Sequence, residues 1–184
     1  LSSLDRTALF LGGLHAATRG GGAGADGFTR NTEMRKLNAT HMYNLPFSAD
    51  NPMMEALEGV EGGLLQAAHD VQRSMAACAT AAELNARYLA DTPVGEHAVL
   101  LHGDYFFGSW LRTPQGVFVI DAEFAHVGDA EFDVGVALAH MAMAHVPLSN
   151  AQRWLACYSG AASPLEAKAQ HALSPTLLAQ YAAV

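Results

Sequence analysis

The stretch LLHGDYFFGSWLRTPQGVFVIDAEFAHVGDAEFDVG, Leu100–Gly135, gathers six Asp and Glu residues, two histidines and several strand formers. AVLLHGD, starting at Ala98, reads as a short apolar strand ending in a polar loop. SWLRTPQGVFVID then reads as a hairpin, because TPQG places Pro114 second and Gly116 fourth in a type I turn. From Phe132 the helical period returns in FDVGVALAHMAMAHV. The acidic residues sit on this strand, loop and hairpin, so the chemistry is expected there.

Within it, Asp121 and Glu123 end the apolar run VFVI and are one residue apart. Strand periodicity would turn both carboxylates to one side, where the strand opens to solvent. Two such oxygen donors suit Mg²⁺, which takes one or two carboxylates and fills its shell with phosphate and water oxygens. The plainer alternative is a pair of solvated residues at a strand end. Asp104, in HGD, follows the other strand. A carboxylate held there by a glycine turn can take the proton from a hydroxyl that attacks phosphorus, or it can simply cap backbone. The order of a base, then a hairpin, then D-x-E is the layout that phosphoryl transfer needs. Asp129 and Glu131 read as loop charges.

Upstream, Leu4, Ala8, Leu11, Leu14 and His15 recur at helical spacing, which predicts an amphipathic helix from about Leu4 to Thr18. RGGGAGADG breaks it, and LPF and DNP mark turns in the mixed segment that follows. Met54 to about Ala79 is Ala- and Leu-rich and predicted helical. A separate helix is predicted in TAAELNARYLADTP, with Thr80 as cap, Glu83 closing a capping box and Pro93 beyond its end. Beyond the hairpin the chain reads as helical, with a break around Ser159 to Pro164.

The chain has 184 residues, half of them hydrophobic, enough to bury a core as one domain or one lobe of something larger. A net charge of −8 argues against nucleic acid or an anionic membrane as partner, but not against a nucleotide bound through a metal ion. No apolar run reaches the length of a membrane span. The two cysteines, Cys78 and Cys157, form neither a disulfide framework nor a zinc motif, so a reducing, cytoplasmic location is expected. The start lacks the basic and apolar regions of a signal peptide. It also lacks an initiator methionine, which implies a chain cut from a longer one.

Two motifs read as decoys. Gly22–Gly27 formally matches G-x-G-x-x-G, but a phosphate loop should follow a strand and open a helix. Here it follows a helix, so a flexible loop is the better reading. His140 and His145 stand about 140° apart around a helix, poor geometry for joint chelation.

HGDYFFGS resembles the H-G-D-x-x-x-x-[NS] catalytic loop of the aminoglycoside phosphotransferase and choline kinase superfamily. VIDAEF and EFDVG resemble that superfamily's metal-binding and following-helix motifs. Ser109, and D-x-E at Asp121 and Glu123, look most like methylthioribose kinase and its relatives. LGGLHAAT resembles the helix after the hinge in these kinases, and NTEMRKLN more distantly a segment of the methylthioribose kinase group. The resemblance implies an α+β, mainly helical C-terminal lobe of a protein-kinase-like fold with a small β-hairpin insertion. One domain is expected over 1–184: a helical part with the glycine-rich loop (1–96), the catalytic loop and hairpin (97–124), and a second helical part (125–184).

It further implies ATP and Mg²⁺ as cofactors and a small-molecule hydroxyl as acceptor, in a methylthioribose-like sugar, an aminoglycoside, or choline or ethanolamine. Asp104 would be the catalytic base, Asp121 the principal Mg²⁺ ligand and part of the nucleotide site, and Glu123 a second ligand. Ser109 stands where many relatives place an asparagine that contacts metal. His102 would brace the loop, and Asp133 would fix its backbone from the next helix, where its charge suits the dipole.

Some parts depart from the pattern. The N-terminal lobe that covers the phosphates and supplies a lysine does not precede Leu1 and is expected in a parent protein, so the chain alone is expected to be inactive. Tyr105-Phe106-Phe107 fills positions where many relatives carry LHP or LHT, and the loss of a polar histidine there is expected to change the substrate pocket. A kinase lobe kept as a non-catalytic binding or scaffold protein is the alternative of another class, and a homodimer stays open.

Overall fold

The computed structural model describes residues 2–20, 31–60, 62–90, 97–162 and 173–183. The Gly22–Gly27 motif and Pro93 lie outside them. Within the described residues the chain is mainly helical with two short two-stranded sheets. It divides into two compact units, one formed by 1–31 with 92–183 and the other by 32–91. No helix among the described residues is long and apolar enough to cross a membrane.

The first unit opens with α1 (Ser3–Thr18). Its start is fixed by a capping box: Asp5 N–H donates to Ser2 Oγ at 3.1 Å and Ser2 N–H donates to Asp5 Oδ2 at 2.8 Å. Asp5 also meets Arg153 at 2.7 Å. At the other end, Thr18 Oγ1 accepts the Leu100 N–H at 2.9 Å, and Gly20 N–H reaches the Ala98 carbonyl. These bonds tie α1 to β1 (Val99–Leu101).

β1 pairs antiparallel with β4 (His126–Gly128), Leu101 opposite His126. Between them stands the expected hairpin, β2 (Trp110–Thr113) and β3 (Gly116–Val119), closed by Pro114-Gln115 with Thr113 opposite Gly116. One hairpin face packs Trp110 and Val119 on the core, and the other leaves Leu111 and Phe118 exposed. β4 went unseen in the sequence. Its three residues are too few for periodicity to register, and they become a strand only by pairing with β1 across 27 residues.

Three helices complete the unit: α6 (Ala130–Met143), α7 (Leu148–Ala162) and α8 (Pro175–Ala183). Helix α7 runs unbroken past Ser159, through the start of the expected break; residues 163 and 164 lie outside the described part. The core joins Ala8 and Leu11 of α1, Tyr105 of the loop, Val134, Ala137 and Met141 of α6, and Trp154 and Tyr158 of α7. Trp154 is fully buried and stacks on Tyr158 at 6.1 Å, and its Nε1–H donates to Thr7 Oγ1 at 3.0 Å. Truncating so large a buried side chain typically costs about 3–5 kcal/mol.

Asp129 and Glu131 are not loop charges. Glu131 is buried in the first turn of α6 and accepts the Ser174 N–H at 2.8 Å, while Asp129 accepts the Tyr181 hydroxyl at 3.4 Å. Ser174 Oγ in turn caps α8 through Leu177 N–H. Their partners lie more than 40 residues away, where local patterning has no reach.

The second unit contains α2 (Thr32–Ala39), α3 (Met53–Leu57), α4 (Leu64–Arg73) and α5 (Met75–Leu89). The stretch Met54 to Ala79, expected to be helical, is divided among three helices, the last of which runs on through the separate helix expected from Thr80. Ser74, in extended geometry, ends α4 and caps α5 through Ala77 N–H at 3.2 Å. Thr80, expected as a cap, lies inside α5, because the earlier serine takes that place. Arg35 donates to the Tyr88 and Ala90 carbonyls, and Asn38 bonds the Tyr88 hydroxyl, which fastens α2 to the end of α5.

Candidate active site

The loop after β1 is built around a buried carboxylate. Asp133, in the first turn of α6, is fully buried. Its Oδ2 accepts the His102 N–H at 2.7 Å, and its Oδ1 accepts the Gly103 N–H at 3.0 Å. His15, equally buried in the last turn of α1, adds Nε2 at 3.2 Å from Oδ2. Burial alone would raise this carboxyl, but the His15 hydrogen bond and field, with the two amides, outweigh it and hold the group below its ordinary value.

The His102 ring continues the lock. Nε2–H donates to the Ile120 carbonyl at 2.9 Å, and Nδ1 accepts the Asp104 N–H at 3.3 Å. A carbonyl only accepts and an amide only donates, so these partners fix the tautomer. Gly103 adopts φ +88°, and a Cβ there would sit 2.4 Å from the Phe124 carbonyl oxygen. Only glycine fits this turn.

Asp104 is half-buried at the end of this lock. Burial pushes its carboxyl above the ordinary value; His102 and His140 pull the other way, and Asp133 and Glu123 add to the rise. His140, from α6, stacks on Phe106 at 4.2 Å and 26°, and burial lowers its affinity for a proton while Asp104 opposes that. His145 lies beyond α6 and is exposed, so the two histidines do not act as a pair.

Tyr105 turns away from this surface into the core: it is fully buried, and its hydroxyl donates to the Thr7 carbonyl at 2.8 Å. Of the three aromatic residues, Phe106 is the one stacked on His140, whose charge acts on Asp104, and Phe107 is exposed against Trp110. Ser109 is buried. Its Oγ donates to the Phe106 carbonyl at 2.8 Å and accepts the Phe106 N–H at 3.2 Å, so the hydroxyl closes the 106–109 turn.

Asp121 and Glu123 are both exposed, but not as strand neighbours. The chain leaves β3 after Val119, Asp121 takes a left-handed conformation (φ 62°), and Glu123 lies in the 3-10 turn Ala122–Phe124. Strand periodicity fails because it assumes extended backbone, and Asp is among the few residues that enter the left-handed region readily. Asn31 braces this turn from outside, its Nδ2 donating to the Glu123 and Ala125 carbonyls at 2.9 and 2.8 Å. Among the described residues no group of three or more His, Cys, Asp and Glu side chains is placed to hold a metal. The two exposed carboxylates still suit a hard cation that draws its other oxygens from phosphate and water.

His15, Asn31 and Tyr158, whose hydroxyl lies 3.0 Å from His15 Nδ1, were missed as residues around the site. The signal for His15 was a polar ring on the apolar stripe Leu4–Ala8–Leu11; for Asn31 and Tyr158 the sequence offered none.

No curated protein matches the chain. Residues 2–169 match the phosphotransferase enzyme family, APH, and since that match takes in most of the sequence, the chain belongs to this family.

Proposed function

We propose that the protein transfers the γ-phosphate of ATP to a hydroxyl of a small metabolite, and that the chain forms the C-terminal, helical lobe of a protein-kinase-like enzyme. The observation that carries this reading is the placement of Asp104: a half-buried carboxylate of raised pKa on a backbone locked by Asp133, with its proton affinity moved toward neutrality as a base needs. In the proposed step the acceptor oxygen bonds to the γ-phosphorus, the bond from that phosphorus to the β,γ-bridging oxygen breaks, and ADP leaves. The acceptor's proton passes to Asp104.

Asp121 and Glu123 would hold Mg²⁺, which when bound neutralises phosphate charge. Ser109 then serves the loop first, since its proton is used on the Phe106 carbonyl. His102 braces the loop through its ring, and Asp133 does so through the two amides. A methylthioribose-like sugar is the proposed acceptor, on the strength of Ser109 with D-x-E. A screen of sugars, aminoglycosides and amino alcohols with labelled ATP tests that choice.

Asp104→Ala in the intact protein should abolish turnover while ATP binding, read by calorimetry, stays within about threefold, because the base contributes to the transition state rather than to nucleotide affinity. Near-normal turnover in that variant would sink the assignment.

A further inference from the structure

The lock on the catalytic loop does not end at Asp133. Behind that carboxylate stands His15, and behind His15 stands Tyr158 of α7, whose hydroxyl lies 3.0 Å from His15 Nδ1. The three side chains form one buried line, Tyr158–His15–Asp133, that runs from α7 through α1 to the first turn of α6. At its end are the His102 and Gly103 amides, which precede Asp104.

Each link constrains the next. A carboxylate only accepts, so His15 Nε2 must carry the proton it donates to Asp133. Nδ1 is left facing the Tyr158 hydroxyl, which donates to it if the ring is neutral and accepts from it if the ring is protonated; the bond holds the ring either way. The ring of Tyr158 meets the His15 ring edge-on at 5.7 Å and stacks on Trp154, so the hydroxyl is aimed by packing as well as by its bond. Burial pushes the Tyr158 hydroxyl far above its ordinary pKa, so it keeps its proton. Asp133 has two oxygens and three donors, and loss of the His15 bond would free it to turn off the amides.

We propose that His15 and Tyr158 are positioning residues for phosphotransfer: they hold the Asp133 carboxylate, and through it the loop backbone, so that Asp104 meets the acceptor hydroxyl in register. Neither touches a reactant. This rests on the reading of Asp104 as the base. Misplacing a reacting group by a fraction of its contact distance slows a step while leaving ligand affinity nearly intact. His15 and Tyr158 should therefore act on kcat and not on KM.

The test compares wild type, His15→Phe, His15→Gln, Tyr158→Phe and Asp104→Ala in the intact protein, each checked for folding by circular dichroism. The acceptor used is the best one found in the substrate screen. His15→Phe keeps a ring but no donor, and kcat should fall about 10- to 100-fold with both KM values within about twofold. His15→Gln can return a donor to Asp133 and should recover most of that loss. Tyr158→Phe deletes one oxygen and should lower kcat by a smaller factor, about threefold or more. If His15→Phe does not fold, Tyr158→Phe and His15→Gln carry the comparison: the inference then requires kcat to fall in the first and stay near wild type in the second. Wild-type kcat in a folded His15→Phe or in Tyr158→Phe overturns it. So does a His15→Gln no better than a folded His15→Phe, which would mean that the ring only fills space. An active Asp104→Ala strikes instead at the proposed function, so the two failures are separable.

Discussion

At the first turn of α6 the Asp133 carboxylate is wholly buried and carries three hydrogen bonds, whereas just beyond β3 the Asp121 and Glu123 carboxylates are exposed on a turn braced through its backbone. The contrast separates two uses of the same functional group within 13 residues of chain. A buried carboxylate surrounded by donors organises backbone and has no oxygen left for a ligand. An exposed one, on a turn whose shape is fixed by other atoms, keeps its oxygens available. Asp104 lies between these limits, half-buried, and burial is the first cause of its raised pKa.

The largest effect expected on this comparison is in Asp133→Ala. It strands two buried amides and the His15 ring, and should cost about 3–5 kcal/mol in denaturant unfolding. A cost near zero would mean that the buried end is not a structural hub. Next comes Gly103→Ala, where positive φ and the approach of Phe124 oppose a side chain; about 1–3 kcal/mol of destabilisation is expected. Asp121→Asn should change stability by no more than about 0.5 kcal/mol, because the residue is exposed and Asn accepts the left-handed conformation equally well. Its phosphotransfer should nevertheless fall and demand more Mg²⁺. A stability loss comparable to that of Asp133→Ala would erase the distinction between the two ends.

The smallest effect concerns pH. Asp104 has a folded pKa above 3.8, so its ionised form costs stability at neutral pH, and that cost is relieved as pH falls through the folded value. Asp133 has the opposite sign: its folded pKa is below 3.8, so its contribution is present above 3.8 and lost as pH falls through the folded value. Asp104→Asn should therefore raise the melting temperature slightly at neutral pH, with the gain vanishing once the pH is below 3.8. Melting curves across acid and neutral pH check this, and a variant less stable than wild type at neutral pH would contradict it.

How much of this was legible depended on the range of the interaction. Helix α1 and the β2–β3 hairpin could be read from period and turn chemistry, because both are set by residues close in sequence. The order HGD, hairpin, D-x-E is likewise local, and it pointed to the family to which the chain belongs. What could not be read depends on partners far along the chain. Glu131 looks solvated until Ser174 arrives 43 residues later, and His15 looks like one more helix residue until Asp133 arrives 118 residues later. The break at Ser74 was missed for a different reason: an Ala- and Leu-rich run supports one long helix as well as two, and one serine's capping bond decides between them.

Ile120 joins the two ends through its main chain alone. Its carbonyl takes the His102 ring proton, and its N–H reaches the Ser109 carbonyl, while its side chain stays 37% exposed. The spacing between the Asp104 loop and the Asp121 turn is thus set by atoms that every residue except proline possesses. Substitutions at position 120 should therefore leave both main-chain bonds, and the spacing they set, in place. Proline alone should be forbidden, for want of the N–H.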